Sequence, residues 1–179
     1  MKKLMILVFA AVMMSSFAAA QAGNTAQGTL SVTATVNSSI SLVFNTDVAA
    51  GVPLASGNGT STASLAFGNV SAFGALASGK ITRTVGANSF TVSTPVDVFV
   101  SQFNSNSANY RLTAQLGAAD AVNTWSVGGV TVTNGAAATI TSTGAYATNN
   151  AFAVAITVPF TSASGTSITN SIVYTATSN

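Results

Sequence analysis

Residues 151–160, AFAVAITVPF, alternate without a break between large apolar and small side chains. Phe152, Val154, Ile156, Val158 and Phe160 fall on one face, and Ala151, Ala153, Ala155, Thr157 and Pro159 on the other. That period of two belongs to a β-strand with a core beneath it and close neighbours around it. Such a strand cannot stand alone, so the rest of the chain must supply partners.

It does. Shorter alternations recur at 29–36, 40–44, 64–70, 90–101, 110–116, 125–133, 138–142 and 168–177. Turn-forming Asn, Gly and Ser clusters separate them. No stretch after the first two dozen residues carries apolar side chains at helical spacing with caps. The pattern predicts an all-β chain of about seven to ten short strands, most simply an antiparallel immunoglobulin-like β-sandwich, with a closed barrel as the alternative.

Local signals refine this. Pro95 interrupts the 90–101 alternation and predicts an edge or a bend there, because proline donates no ladder bond. The Val96–Val100 run and Tyr110–Leu116, separated by QFNSNSAN, read as a hairpin or a neighbouring pair. Gly128-Gly129 predicts a bulge or a tight turn, and Leu65-Ala66-Phe67-Gly68 sits in a strand candidate. Residues 45–62, rich in Gly, Ala, Ser and Asn with Pro53 inside, read as a long loop.

The N-terminus has a different character. Lys2 and Lys3 precede the apolar run Leu4–Met14, and Ala20-Gln21-Ala22 follows. This is the layout of a secretory signal peptide at 1–22, too short in its apolar part to span a bilayer, which needs about 20 residues. The expected division is signal peptide 1–22, with cleavage after Ala20 as the alternative to cleavage after Ala22, an N-terminal extension or donor strand at 23–37, and a sandwich domain at 38–179. The protein is expected to be exported, with no membrane span after removal of the leader.

Composition then removes most chemistry. Only 4% of residues are charged, against about 25% in ordinary globular proteins. Beyond the leader, Lys80, Arg83 and Arg111 balance Asp47, Asp97 and Asp120. A near-neutral surface rich in Ser, Thr and Asn suits a molecule that lives assembled. There is no His, Cys or Glu, which takes away the usual general bases, thiol nucleophiles and zinc ligands. The three aspartates lie far apart in sequence; Asp47 and Asp120 are expected in loop turns and Asp97 on an exposed strand face. Three cations are too few for a nucleic-acid surface. No catalytic, cofactor or metal site is expected, and the chain reads as a non-enzyme. Trp125, at a strand start, is expected in the core, with stacking on a sugar as the competing role.

The opening GTLSVTATVNSSISLVF and the following SLAFGNV resemble the start of spore coat protein U-like domains and the related archaic chaperone–usher pilins. Val32-Thr33-Ala34-Thr35-Val36 stands in the place of those families' V-x-A-x-V strand, and Leu65-Ala66-Phe67-Gly68 in the place of their L-x-FG segment. The chain departs from them in three ways: Ser38-Ser39 replace a frequent cysteine, 45–62 is long, and Tyr174 is not near-terminal. The resemblance implies an incomplete sandwich whose missing strand is supplied by the N-terminal segment of the next subunit. Leu30, Val32, Ala34 and Val36 would be the inserted side chains. The implied partners are identical or related subunits, with a periplasmic chaperone and an outer-membrane usher, and the implied location is a bacterial surface or extracellular fibre. The alternative is a self-complete, monomeric immunoglobulin-like adhesin or carbohydrate binder using its polar loops and Trp125.

Overall fold

The computed structural model describes residues 27–179, so the expected leader at 1–22 lies outside the described residues. Nine strands follow one another: β1 (Ser39–Thr46), β2 (Thr82–Val85), β3 (Ser89–Phe103), β4 (Tyr110–Leu116), β5 (Thr124–Val127), β6 (Val130–Val132), β7 (Ala138–Gly144), β8 (Asn149–Pro159) and β9 (Ile172–Ser178). All lie in the compact unit Val36–Asn179. No helix occurs among the described residues.

The strands form two antiparallel sheets packed as a β-sandwich, the expected architecture. The larger runs β1-β3-β8-β5-β6, with β2 also on β3; the smaller runs β7-β4-β9. As its alternation predicts, β8 is central, flanked by β3 and β5. Val154, Ile156 and Val158 are buried, while Phe152 is half-buried and Phe160 is exposed where it stacks on Phe90. Burying a side chain of this size is worth about 1.5–3 kcal/mol, so β3 and β8 together form the main stabilising rib.

Pro95 lies inside β3, a central strand, rather than at a sheet edge or a chain bend. The ladder explains how it is tolerated. On one side β3 pairs with β2 through Phe90–Ser93 and with β1 from Val96 onward, leaving Thr94 and Pro95 in the gap. On the other side Pro95 faces Ala153, whose carbonyl accepts from Gly128 N–H across on the β5 side, at 2.8 Å. The proline nitrogen therefore points into the gap, where no ladder donor is required. Thr94 fills the gap by accepting Val52 N–H on Oγ1 at 2.8 Å.

β3 and β4 are not a hairpin; they lie in opposite sheets. Both carry an apolar inner face, and the two faces meet across the sandwich instead of side by side. Val98 and Val100 pack with Tyr110 and Leu112 in one of two core clusters. A larger cluster holds Phe90, Val92, Ala114, Trp125, Val127 and Ile156. Gly128 and Gly129 make the tight turn between β5 and β6 with φ of 56° and 80°, the positive pair a two-residue hairpin requires. The 64–70 strand candidate is not a strand. Ser64 makes only an isolated bridge to Ser56, the chain turns at Gly68 with φ of 66°, and Phe67 and Val70 reach the core from an irregular segment.

Asp97 is also placed otherwise than expected. It is 8% exposed, because its strand is central: Asn45 of β1 and Ala151 of β8 flank it. Burial first, and then the charge of Asp47, push its carboxyl above the ordinary range. The stability this group contributes is present below the unfolded value of about 3.9 and lost as pH rises through the folded pKa.

Candidate assembly site

The N-terminal segment is an unpaired ribbon. Residues 27–38 carry no strand assignment, yet their sequence alternates Leu30, Val32, Ala34 and Val36 with Ser31, Thr33 and Thr35. β-branched residues favour the extended backbone. Leu30 is 86% exposed, Val32 80% and Val36 70%, and Ala34 is exposed as well. Of the alternating runs read from the sequence, this one and 64–70 form no strand.

The second element is the outer edge of β9, whose only ladder neighbour among the described residues is β4. Gly117 N–H donates to the Ser171 carbonyl at 2.8 Å and Asn179 N–H to the Asn109 carbonyl at 3.2 Å, one at each end of the β4–β9 ladder. Hydrogen-bonded pairs alternate along an antiparallel ladder. Odd-numbered residues of β9 therefore bond to β4, and the backbone groups of Ile172, Tyr174 and Ala176 face the free side. The side chains of these same three residues point inward but are only half-buried, whereas Tyr110, Leu112 and Ala114 of β4 are fully buried. An edge with unpaired amides above an incompletely covered core is a template for another strand.

β1 forms the opposite wall of this seam. Phe44 and Tyr174 meet edge to face with ring centroids 5.1 Å apart, and Leu42 and Ala176 border the same core cluster. The long loop after β1 folds back over part of its outer edge: Phe44 N–H donates to the Thr60 carbonyl at 2.9 Å, Gly59 N–H to the Phe44 carbonyl at 2.7 Å, and Thr46 N–H to Asn58 Oδ1 at 2.7 Å. The outward backbone groups of Ile40 and Leu42 have no such cover from this loop. On the far side of the sandwich, β6 lies against β7. The two sheets thus approach one another on both flanks, β6 against β7 and β1 against β9, but among the described residues no ladder joins β1 to β9.

The residues suggested for a sugar site are arranged differently. Trp125 is 6% exposed and its ring belongs to the main core cluster, so neither face is offered for stacking. Its indole N–H donates to Asp120 Oδ2 at 2.8 Å. Asp120 also accepts from the backbone N–H groups of Val122 and Asn123, at 3.0 and 2.8 Å, and from the Asn123 amide. Burial raises the Asp120 carboxyl, but these donors, led by Asn123 N–H and then the indole, outweigh it and hold the pKa at about 2. Asp120 lies on a cup of about 350 Å³ beside Asn123, Thr131 and Asn134, with its oxygens already engaged. As expected, it and Asp47 organise turns; Asp47 Oδ1 accepts Ala49 and Ala50 N–H.

A depressed carboxylate contributes stability above its unfolded pKa of about 3.9 that is lost as pH falls toward about 2. Asp120→Asn sets an NH₂ donor against the indole or backbone donors, so we expect about 1–3 kcal/mol of destabilisation at neutral pH. The loss of stability expected of the wild type between about pH 4 and pH 2 should shrink correspondingly. Melting temperature followed against pH checks both.

The alternation of Leu30, Val32, Ala34 and Val36 is legible in the sequence, whereas their role as inserted side chains is what the resemblance implies. Ile172, Tyr174 and Ala176 fall within the 168–177 alternation, but nothing local tells a free sheet edge from a paired one. No protein-family model matches the chain, and no curated protein matches it in sequence.

Proposed function

We propose that this chain is a structural, non-enzymatic subunit of an extracellular fibre or coat that polymerises by β-strand donation. Residues 29–36 of one copy add to the free edge of β9 in the next, setting Leu30, Val32, Ala34 and Val36 over the seam between β1 and β9. The observation that carries this reading is the β9 edge, where the amides of Ile172, Tyr174 and Ala176 face outward above half-buried side chains. The exposed apolar ribbon at the N-terminus supports it. The lengths agree too, since β9 has seven residues and the ribbon's alternation runs over a similar span.

Backbone hydrogen bonds would supply affinity and the alternate side chains register. A contact between two different surfaces of the same subunit builds a filament wherever its rotation does not close a ring. Before assembly the same edge needs a temporary cover, the role a periplasmic chaperone would fill after export through the leader at 1–22. Outer-membrane usher and related subunits are the further partners on this reading.

The test uses purified protein beginning at Gly23. We expect concentration-dependent ladders that survive detergent, shortened by excess synthetic peptide spanning 29–37. A sharp monomer at high concentration that refolds alone and ignores the peptide would overturn the proposal in favour of a self-complete binding domain.

A further inference from the structure

Two Asn-Gly pairs occur among the described residues, Asn58-Gly59 and Asn134-Gly135. Glycine lacks the Cβ that hinders its own nitrogen from reaching the preceding side-chain amide, so each pair is a candidate for spontaneous ring closure. The sequence treats them alike, but the fold separates them.

At Asn58 both reacting groups are tied. Its Oδ1 accepts Thr46 N–H at 2.7 Å, and Gly59 N–H, the would-be nucleophile, donates to the Phe44 carbonyl at 2.7 Å. Gly59 is further fixed at φ of 78° within the cover over β1. Asn134 stands in the connection between β6 and β7, and both it and Gly135 are exposed. Its amide makes only long bonds, 3.5 Å to the Leu116 carbonyl and 3.4 Å to the Gly117 carbonyl. Gly135 donates no backbone hydrogen bond among the described residues, and nothing lies within 4 Å of where a Cβ would stand.

We propose that Asn134 is a self-modifying position that converts in the folded protein to aspartate or isoaspartate, giving the cup beside Asp120 a second carboxylate. The deprotonated Gly135 nitrogen attacks Asn134 Cγ. The new C–N bond closes a succinimide as the Cγ–Nδ2 bond breaks and ammonia leaves. Water then opens the ring at either carbonyl. No other reactant is needed. Beyond the leader the chain carries three cations and three aspartates, so each conversion takes a balanced molecule to a net negative one.

The protein beginning at Gly23 is incubated at mildly alkaline pH, folded and in denaturant, and followed by peptide mass mapping and isoelectric focusing. In the folded protein the Asn134 peptide should gain about one dalton at least about tenfold faster than the Asn58 peptide, a barrier difference of about 1.4 kcal/mol. In denaturant the two rates should converge. The acidic band should vanish in Asn134→Gln. Equal rates in the folded protein, faster change at Asn58, or an acidic band that persists in Asn134→Gln would each overturn the proposal.

Discussion

Replacing both Val32 and Val36 with aspartate is expected to abolish assembly while leaving the subunit folded. Both side chains are largely exposed, at 80% and 70%, so in the isolated subunit the changes fall within the usual ±0.5 kcal/mol of surface substitutions. In a donated strand the same positions would lie over the seam lined by Leu42, Phe44, Tyr174 and Ala176. Each valine would then contribute about 1.5–3 kcal/mol by burial. Each aspartate would forfeit that and add the cost of an unpaired charge against an apolar surface, which is several kcal/mol or is met by protonation. Two positions together remove well over 5 kcal/mol, and every 1.4 kcal/mol is tenfold in affinity. Sedimentation and electron microscopy should show monomers, with melting temperature unchanged. Threonine at the same two positions keeps β-branched shape without charge and should retain partial assembly. Filaments of normal length from the double aspartate variant would exclude the ribbon as the donor.

The second large effect is expected in the core. Tyr110 is fully buried and contacts both sheets through its cluster with Val98, Val100 and Leu112. It tilts against Tyr146 at 5.3 Å between centroids, and its hydroxyl accepts from the Asn150 amide at 3.1 Å. Across the ladder its ring lies over Gly144, so that any Cβ there would fall inside van der Waals contact with the ring. Tyr110→Ala should cost about 3–5 kcal/mol, the range for deleting a buried aromatic. That is a large part of a domain's total of roughly 5–15 kcal/mol. Gly144→Ala should cost about 1–3 kcal/mol by overpacking. Combined with Tyr110→Ala, the added methyl has room, so the two costs should fall short of their sum. Denaturant unfolding of the two single variants and the double variant measures that coupling.

What the sequence made legible follows from how far each signal reaches along the chain. Alternation is local, so β4 could be read to the residue, β8 and β9 with shifted ends (151–160 against Asn149–Pro159, and 168–177 against Ile172–Ser178), and Gly128-Gly129 announced its turn. Which strand lies beside which is not local. Val96–Val100 and Tyr110–Leu116 look like hairpin arms, yet their apolar faces are better used against each other across the sandwich. Pro95 looked like an edge marker because proline cannot donate, but the handover from β2 to β1 leaves a place in a central strand where no donor is needed. Asp97 looked solvent-facing because it alternates with valines; its neighbours Asn45 and Ala151 close over it. For the candidate site the apolar alternation of residues 30–36 was visible, since it is a property of a few consecutive residues, but not whether that run pairs at home. The acceptor half depends on what β9 lacks, and a missing neighbour leaves no mark on the strand's own sequence.

The sheet register has a consequence in time. Thr91 and Thr157, whose hydroxyls share a 2.7 Å hydrogen bond, are 66 residues apart in the chain. Ser39 pairs with Phe103 and Leu112 with Ala176 over comparable separations, and among the described strands the short-range hairpins are β2–β3 and β5–β6. Chains dominated by such distant pairings fold in milliseconds to seconds, because loop closure must precede the contacts that reward it. β9 is last in the chain, so β4 must wait for it, and until then strands as apolar as β3 and β8 lack part of their cover. A newly made copy would spend that interval as an adhesive intermediate, and its yield should fall steeply as refolding concentration rises.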